Sequence, residues 1–115
     1  MNISYEGIGQ WAATFLCDGA EVGEVVKMSD QGTVSPCDAE DDFAGVVIAK
    51  SRDEAACTVA LGGMATVTYS GESAPEVGRN ALVADGNGGV TVDEDGREYL
   101  AVEVDTSAKT VTIVL

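Results

Sequence analysis

The chain has 115 residues, 45% of them hydrophobic, with a mean hydropathy of +0.10; this fits one folded domain and excludes intrinsic disorder. Twenty acids against six bases give a net charge of -14 and a pI near 4.1, which argues against nucleic acid and anionic lipid as partners, since both require clustered Lys and Arg. Histidine is absent, which removes the commonest general base and metal ligand and with it Ser-His-Asp, Cys-His and His-zinc arrangements.

Met1 to Gln10 (MNISYEGIGQ) has neither a basic n-region nor a long apolar run, so no signal peptide is expected there. Its Ile3, Tyr5 and Ile8 follow no clear period, and the segment is expected to be a flexible arm. From Gln10 to Cys17 apolar Trp11, Ala13, Phe15 and Cys17 alternate with the residues between them, the pattern of a strand, and Asp18-Gly19 turns out of it. Glu21-Val22-Gly23 then opens a series that returns after Glu76-Val77-Gly78. Each triplet is followed by a strand (Glu24 to Met28; Asn80 to Asp85) and a polar turn (Ser29 to Gly32; Asp85 to Gly89). A short strand comes next (Thr33 to Ser35; Val90 to Val92), then an acidic loop (Asp38 to Asp42; Asp93 to Glu98).

Two similar hairpins end the series, Phe43 to Leu61 and Tyr99 to Leu115. Each starts with an aromatic and closes in an alternating run, Thr58-Val59-Ala60-Leu61 or Thr110-Val111-Thr112-Ile113. Alternation places one face of each strand in a core, with Phe43, Val46, Ile48, Val59 and Leu61 the expected core residues of the first hairpin. Between the copies lies a further alternating strand, Ala65 to Tyr69, which falls outside the repeat as the residues delimit it. The predicted fold is all-β, a small antiparallel barrel or sandwich built from two similar β-meander halves (21–61 and 76–115) with an N-terminal arm. The domain limits are 1–10 for the arm and 11–115 for a single β-barrel domain.

The residues offer little chemistry. Cys17, Cys37 and Cys57 are odd in number and form no CxxC pair, so neither a disulfide framework nor a zinc site is expected, and Cys57 is in phase with Val59 and Leu61 as a core residue. Asp38, Glu40, Asp41 and Asp42 have the look of a solvated loop. Asp93-Glu94-Asp95-Gly96 starts like a calcium loop but lacks the closing Glu. Val25-Val26-Lys27-Met28 is similar to the lysine motif of biotinyl and lipoyl carrier domains, but that lysine needs a hairpin tip, and the tip falls at Ser29 to Gly32. No catalytic residue, cofactor or metal is expected.

Glu21-Val22-Gly23-Glu24-Val25-Val26, then Phe43-Ala44-Gly45-Val46-Val47, then Val59 to Val67, resemble in order the small bacteriophage capsid decoration proteins. The Gly78 strand and the terminal Val102 to Leu115 hairpin continue the resemblance. It implies a non-enzymatic β-barrel protein, made in a bacterial cytoplasm, that binds the major capsid protein on the outside of a phage head as a homotrimer and stabilises the shell. It also implies an N-terminal arm that adds β structure to its partner, a mode in which backbone hydrogen bonds supply affinity and alternate side chains fill pockets. On that basis Ile3, Tyr5, Ile8 and Trp11 are the expected capsid contacts. A carrier domain or other small β-barrel binding module of a bacterial assembly is the alternative.

Overall fold

The structure, a computed structural model, describes residues 11–115. It contains ten strands and, among the described residues, no helix. The first five are β1 (Trp11–Cys17), β2 (Val25–Asp30), β3 (Thr33–Pro36), β4 (Gly45–Lys50) and β5 (Ala56–Gly62). They close a barrel in the order β1-β3-β2-β4-β5. The second five are β6 (Met64–Ser70), β7 (Gly78–Ala84), β8 (Val90–Val92), β9 (Arg97–Asp105) and β10 (Thr110–Val114), and they close a second barrel as β6-β8-β7-β9-β10. Each barrel carries one parallel pairing, β1 with β3 and β6 with β8, among otherwise antiparallel ladders. The all-β architecture of two similar halves is therefore present.

The duplication runs further than the sequence delimited it. Cys17 pairs with Val34 as Tyr69 pairs with Val90, and Ala13 with Val59 as Ala65 with Ile113. Thus β1 and β6 occupy the same place in the two barrels, and the strand read as lying outside the repeat opens its second copy. One residue, Gly63, joins the halves at φ +86°, a conformation that glycine adopts without a Cβ penalty. The register of the repeat also differs from the one that the matching aromatics suggest. Val47 and Ala101 face Val59 and Ile113 respectively, and a bulge follows each, at Ile48 and Val102. The hairpins therefore correspond two residues away from a match of Phe43 with Tyr99. Such a slip leaves every side chain on its own face, so alternation alone does not reveal it.

The bulge at Ile48 has a direct consequence. An extra residue on one strand breaks the alternation, so Ile48, expected in the core, is turned to solvent at 40% exposure. Phe43, Val46, Val59 and Cys57 are buried as expected, and Leu61 packs at the margin of the core. Val26, Val34, Val47, Cys57 and Val59 fill the first barrel, and their counterparts Leu82, Val90, Ala101, Val111 and Ile113 fill the second.

The second barrel, however, draws on the first half for part of its core. Val25, Cys37, Phe43 and Val46 cluster with Tyr69, Leu82, Ala84 and Tyr99. The Phe43 and Tyr99 rings stack with centroids 4.9 Å apart and planes at 13°. The two aromatics that open the similar hairpins are thus partners of each other across the halves. The acidic loop, expected to be solvated, supplies a further contact. The Glu40 amide donates to the Ala84 carbonyl at 2.8 Å, and the Ala84 amide to the Asp41 carbonyl at 2.9 Å. Asp38, Ala39, Glu40 and Asp42 are exposed, while the backbone extends the second barrel's edge at β7.

Leu82→Ala, which empties a fully buried site, is expected to cost about 2–5 kcal/mol in denaturant unfolding. Ile48→Ala is expected to cost clearly less than Leu82→Ala in the same measurement, because Ile48 is 40% exposed where Leu82 is fully buried.

Candidate functional site

The open edge of β1 is the best candidate. β1 pairs along its length with β5, from Trp11 opposite Gly62 to Leu16 opposite Ala56. Its ladder with β3 covers only Leu16 and Cys17. From Trp11 to Phe15 the strand therefore has a ladder partner on one side alone among the described residues. A β edge of this kind presents backbone donors and acceptors to an added strand. β6 repeats the arrangement, meeting β8 only at Tyr69 and Ser70.

Trp11 stands at the start of that edge. At this point the ladder is irregular: Trp11 faces Gly62 and Ala12 faces Ala60, with Leu61 the extra residue on β5. Trp11 is 61% exposed. Its indole lies against the backbone of Gly62, where a Cβ would collide with ring atoms Nε1 and Cδ1. Glycine at 62 thus gives the ring a flat seat. Leu16 is exposed further along the same strand. Of the expected capsid contacts, Trp11 is placed on the surface, whereas Ile3, Tyr5 and Ile8 lie outside the described residues. Gly62 and Leu16 were not singled out from the sequence; the Gly62-Gly63 pair after an alternating run was the available signal for the former.

The other candidate residues are occupied. Lys27 lies within β2, paired with Ser35 and not at the hairpin tip. Its ammonium donates to Asp41 Oδ2 at 2.8 Å and to Asp38 Oδ2 at 3.3 Å. The Asp41 and Asp38 hydrogen bonds raise its pKa. Asp41 in turn accepts from Lys27 and from the Asp38 amide at 2.9 Å, and both hold its carboxyl below the ordinary carboxylate value. This cluster fastens the loop that covers the second barrel.

Asp93 is used locally, its Oδ1 accepting the Asp95 amide at 2.9 Å to shape the β8–β9 turn. Among the described residues no three Asp, Glu or Cys side chains gather as metal ligands.

A shallow pocket of about 210 Å³ lies beside the β4–β5 hairpin, lined by Thr14, Ala49, Lys50, Ser51, Ala56, Cys57 and Thr58. Lys50 is tied to Glu21 at 3.4 Å and Glu54 at 3.5 Å. Burial pulls its pKa down, but the two carboxylates outweigh burial and leave it raised. Ser51 Oγ donates to Asp53 at 2.6 Å and accepts the Ala56 amide at 3.1 Å, so it clamps the hairpin. Burial, with Cys17 beside it, pushes the Cys57 thiol up to about 11, and burial with nearby Asp41 does the same for Cys37, also to about 11. These two thiols stay protonated at neutral pH, whereas a nucleophilic cysteine needs the thiolate.

Compared with known proteins, the chain matches no family model and no curated sequence.

The Lys27–Asp41 contact has a defined pH dependence. A carboxylate whose folded pKa is depressed contributes stability that is complete above its unfolded value, about 3.9, and is lost as pH falls through the folded pKa. Asp41→Asn is therefore expected to unfold at lower denaturant than the parent at pH 7. That difference should shrink as both are acidified below about pH 4. A gap independent of pH would assign the loss to packing and not to charge.

Proposed function

We propose that this is a non-enzymatic structural protein that binds the outside of a bacteriophage capsid, contacts the major capsid protein and stabilises the head, acting as a homotrimer on the virion surface. The order of the Glu-Val-Gly, Gly45-Val46-Val47 and Val59 to Val67 segments supports this reading, as it resembles that of small capsid decoration proteins. The observation that carries it is the open edge of β1, with the exposed Trp11 at the point where residues 1–10 join the barrel.

An added strand needs free backbone groups and an anchor side chain. The edge from Trp11 to Phe15 supplies the first and Trp11 the second. The side chains with chemical potential elsewhere are engaged in holding loops, as Lys27, Asp41, Ser51 and Asp53 are. A net charge of -14 suits a component displayed in many copies, since like charge limits contact between particles.

Removing residues 1–10 is expected to abolish co-sedimentation with expanded phage heads while leaving the circular dichroism of the barrels intact. Trp11→Ala in the full chain is expected to weaken binding by about tenfold or more, the effect of losing a central aromatic anchor. Co-sedimentation unchanged in both variants would refute capsid binding through this edge.

A further inference from the structure

We propose that Cys17 and Cys57 form an oxidisable dithiol, a site at which a small-molecule disulfide converts the two thiols into one reversible bond between β1 and β5. The pair stands apart from capsid binding and does not depend on it.

The first barrel brings the two thiols together. Phe15 is the ladder partner of Cys57 on β5, so Cys17, two residues further along β1, is diagonal to Cys57 on the same face. Cys57 is buried in the core of that barrel at 2% exposure, and Cys17 packs against the same cluster from its margin. Their side chains are in hydrogen-bond contact. That contact favours the protonated Cys57 thiol, so Cys57 donates to Cys17 Sγ. The Cys17 thiol donates onward to the Ala20 carbonyl at 3.4 Å. Cys37, the third cysteine, is buried in the other core cluster among Val25, Phe43 and Tyr99. The odd count thus resolves into a pair and a spare.

The duplication shows that the scaffold does not require this pair. The positions equivalent to Cys17 and Cys57 in the second barrel are Tyr69 and Val111, both buried. Ordinary core residues fill the same place there, and the first half alone sets two thiols in it.

The chemistry is a thiol–disulfide exchange. Cys17, the more exposed of the two, attacks one sulfur of the small-molecule disulfide as its thiolate, which forms a mixed disulfide and expels one thiolate. Cys57 then attacks Cys17 Sγ, the bond to the small molecule breaks, and a second thiolate leaves. The two protons lost by the cysteines go to the two leaving thiolates, so two protein thiols are oxidised and one disulfide is reduced to two thiols. Burial, then the hydrogen bond to Cys17, keeps Cys57 protonated at neutral pH, while Lys50, its cross-strand partner on β4, acts the other way. A small thiolate fraction suffices against a sulfur already held in contact with it.

A diagonal pair lies farther apart than the cysteines of an unstrained disulfide. Closing the bond therefore draws the end of β1 toward β5, where the strand gives way to the Asp18-Gly19 turn with Gly19 at φ +87°. A strained disulfide is reduced more readily than a structural one. The bond accordingly forms in oxidising surroundings and opens in a reducing cytoplasm.

Incubating the folded full chain with glutathione disulfide, then counting thiols in denaturant and measuring intact mass, tests the proposal. The parent is expected to fall from three free thiols to one, to lose the mass of two hydrogens, and to retain no glutathione. Cleavage after Lys27, Lys50 and Arg52 separates the three cysteines; without reductant the Cys17 and Cys57 peptides are expected to stay joined, and dithiothreitol to restore all three thiols. Cys57→Val, which takes the residue of the equivalent Val111, is expected to hold one glutathionyl group on Cys17, the first step trapped. Three thiols remaining in the parent, a bond that includes Cys37 or joins two chains, or a Cys57→Val variant that still loses two thiols would overturn the inference. Head binding is read separately by co-sedimentation, and none of these outcomes decides it.

Discussion

The contact between Phe43 and Tyr99, with the backbone pair between Ala84 and the Glu40–Asp41 segment, is the constraint on which the rest of the molecule depends. Neither barrel is large. Five short strands enclose a core of valines, and such a core, left open at one end, loses much of the burial that stabilises it. The first half closes the second by laying Val25, Cys37, Phe43 and Val46 over its end. Full burial of one such side chain contributes roughly 1.5–3 kcal/mol, and an aromatic pair adds about 0.5–1.5 kcal/mol beyond its area. The cluster of Lys27, Asp38 and Asp41 holds the loop that carries Phe43 in position.

This arrangement makes the two halves equal in scaffold and unequal in role. Interior residues match one for one, Val34 with Val90 and Val59 with Ile113, because any closed five-stranded barrel of this connectivity needs apolar groups there. The differences lie at the edges. The β3–β4 connection is long and packs on a neighbour, while the β8–β9 connection is a tight turn around Asp93. Trp11 opens β1 where Met64 opens β6, and Leu100 is in solvent where Val46 is buried. The surfaces of the two halves therefore differ where one copy departs from the other, and not only in segments that have no copy.

Much of this was legible in the residues. Period-two runs such as Val59 to Leu61 and Ala65 to Tyr69 announce strands with one buried face, and Cys57, Val59, Val46 and Phe43 are buried accordingly. Three features were not legible. The bulge at Ile48 cancels the phase on which its burial was predicted, and no residue type there marks it. The slip of two residues between the hairpins preserves alternation, so the aromatics Phe43 and Tyr99 were matched as equivalents when they are in contact. The kinship of β1 with β6 survives as a ladder pattern while the sequences WAATFLC and MATVTYS share little beyond their phase. The acidic loop is exposed at Asp38, Glu40 and Asp42 as expected, but its charged side chains say nothing of the backbone that pairs with Ala84. At the candidate site the exposed Trp11 was identified, whereas the open β1 edge behind it is a property of pairing and is set by a strand distant in sequence.

The dependence of the second barrel on the first half is tested most directly by residue-resolved amide hydrogen exchange on Phe43→Ala. If the loop is the cover of the second barrel, protection falls throughout β6 to β10, at Leu82, Ala84 and Ile113 included, although the substitution lies in the other half. Loss of protection confined to residues 11–62, with β6 to β10 exchanging as in the parent, would contradict the account.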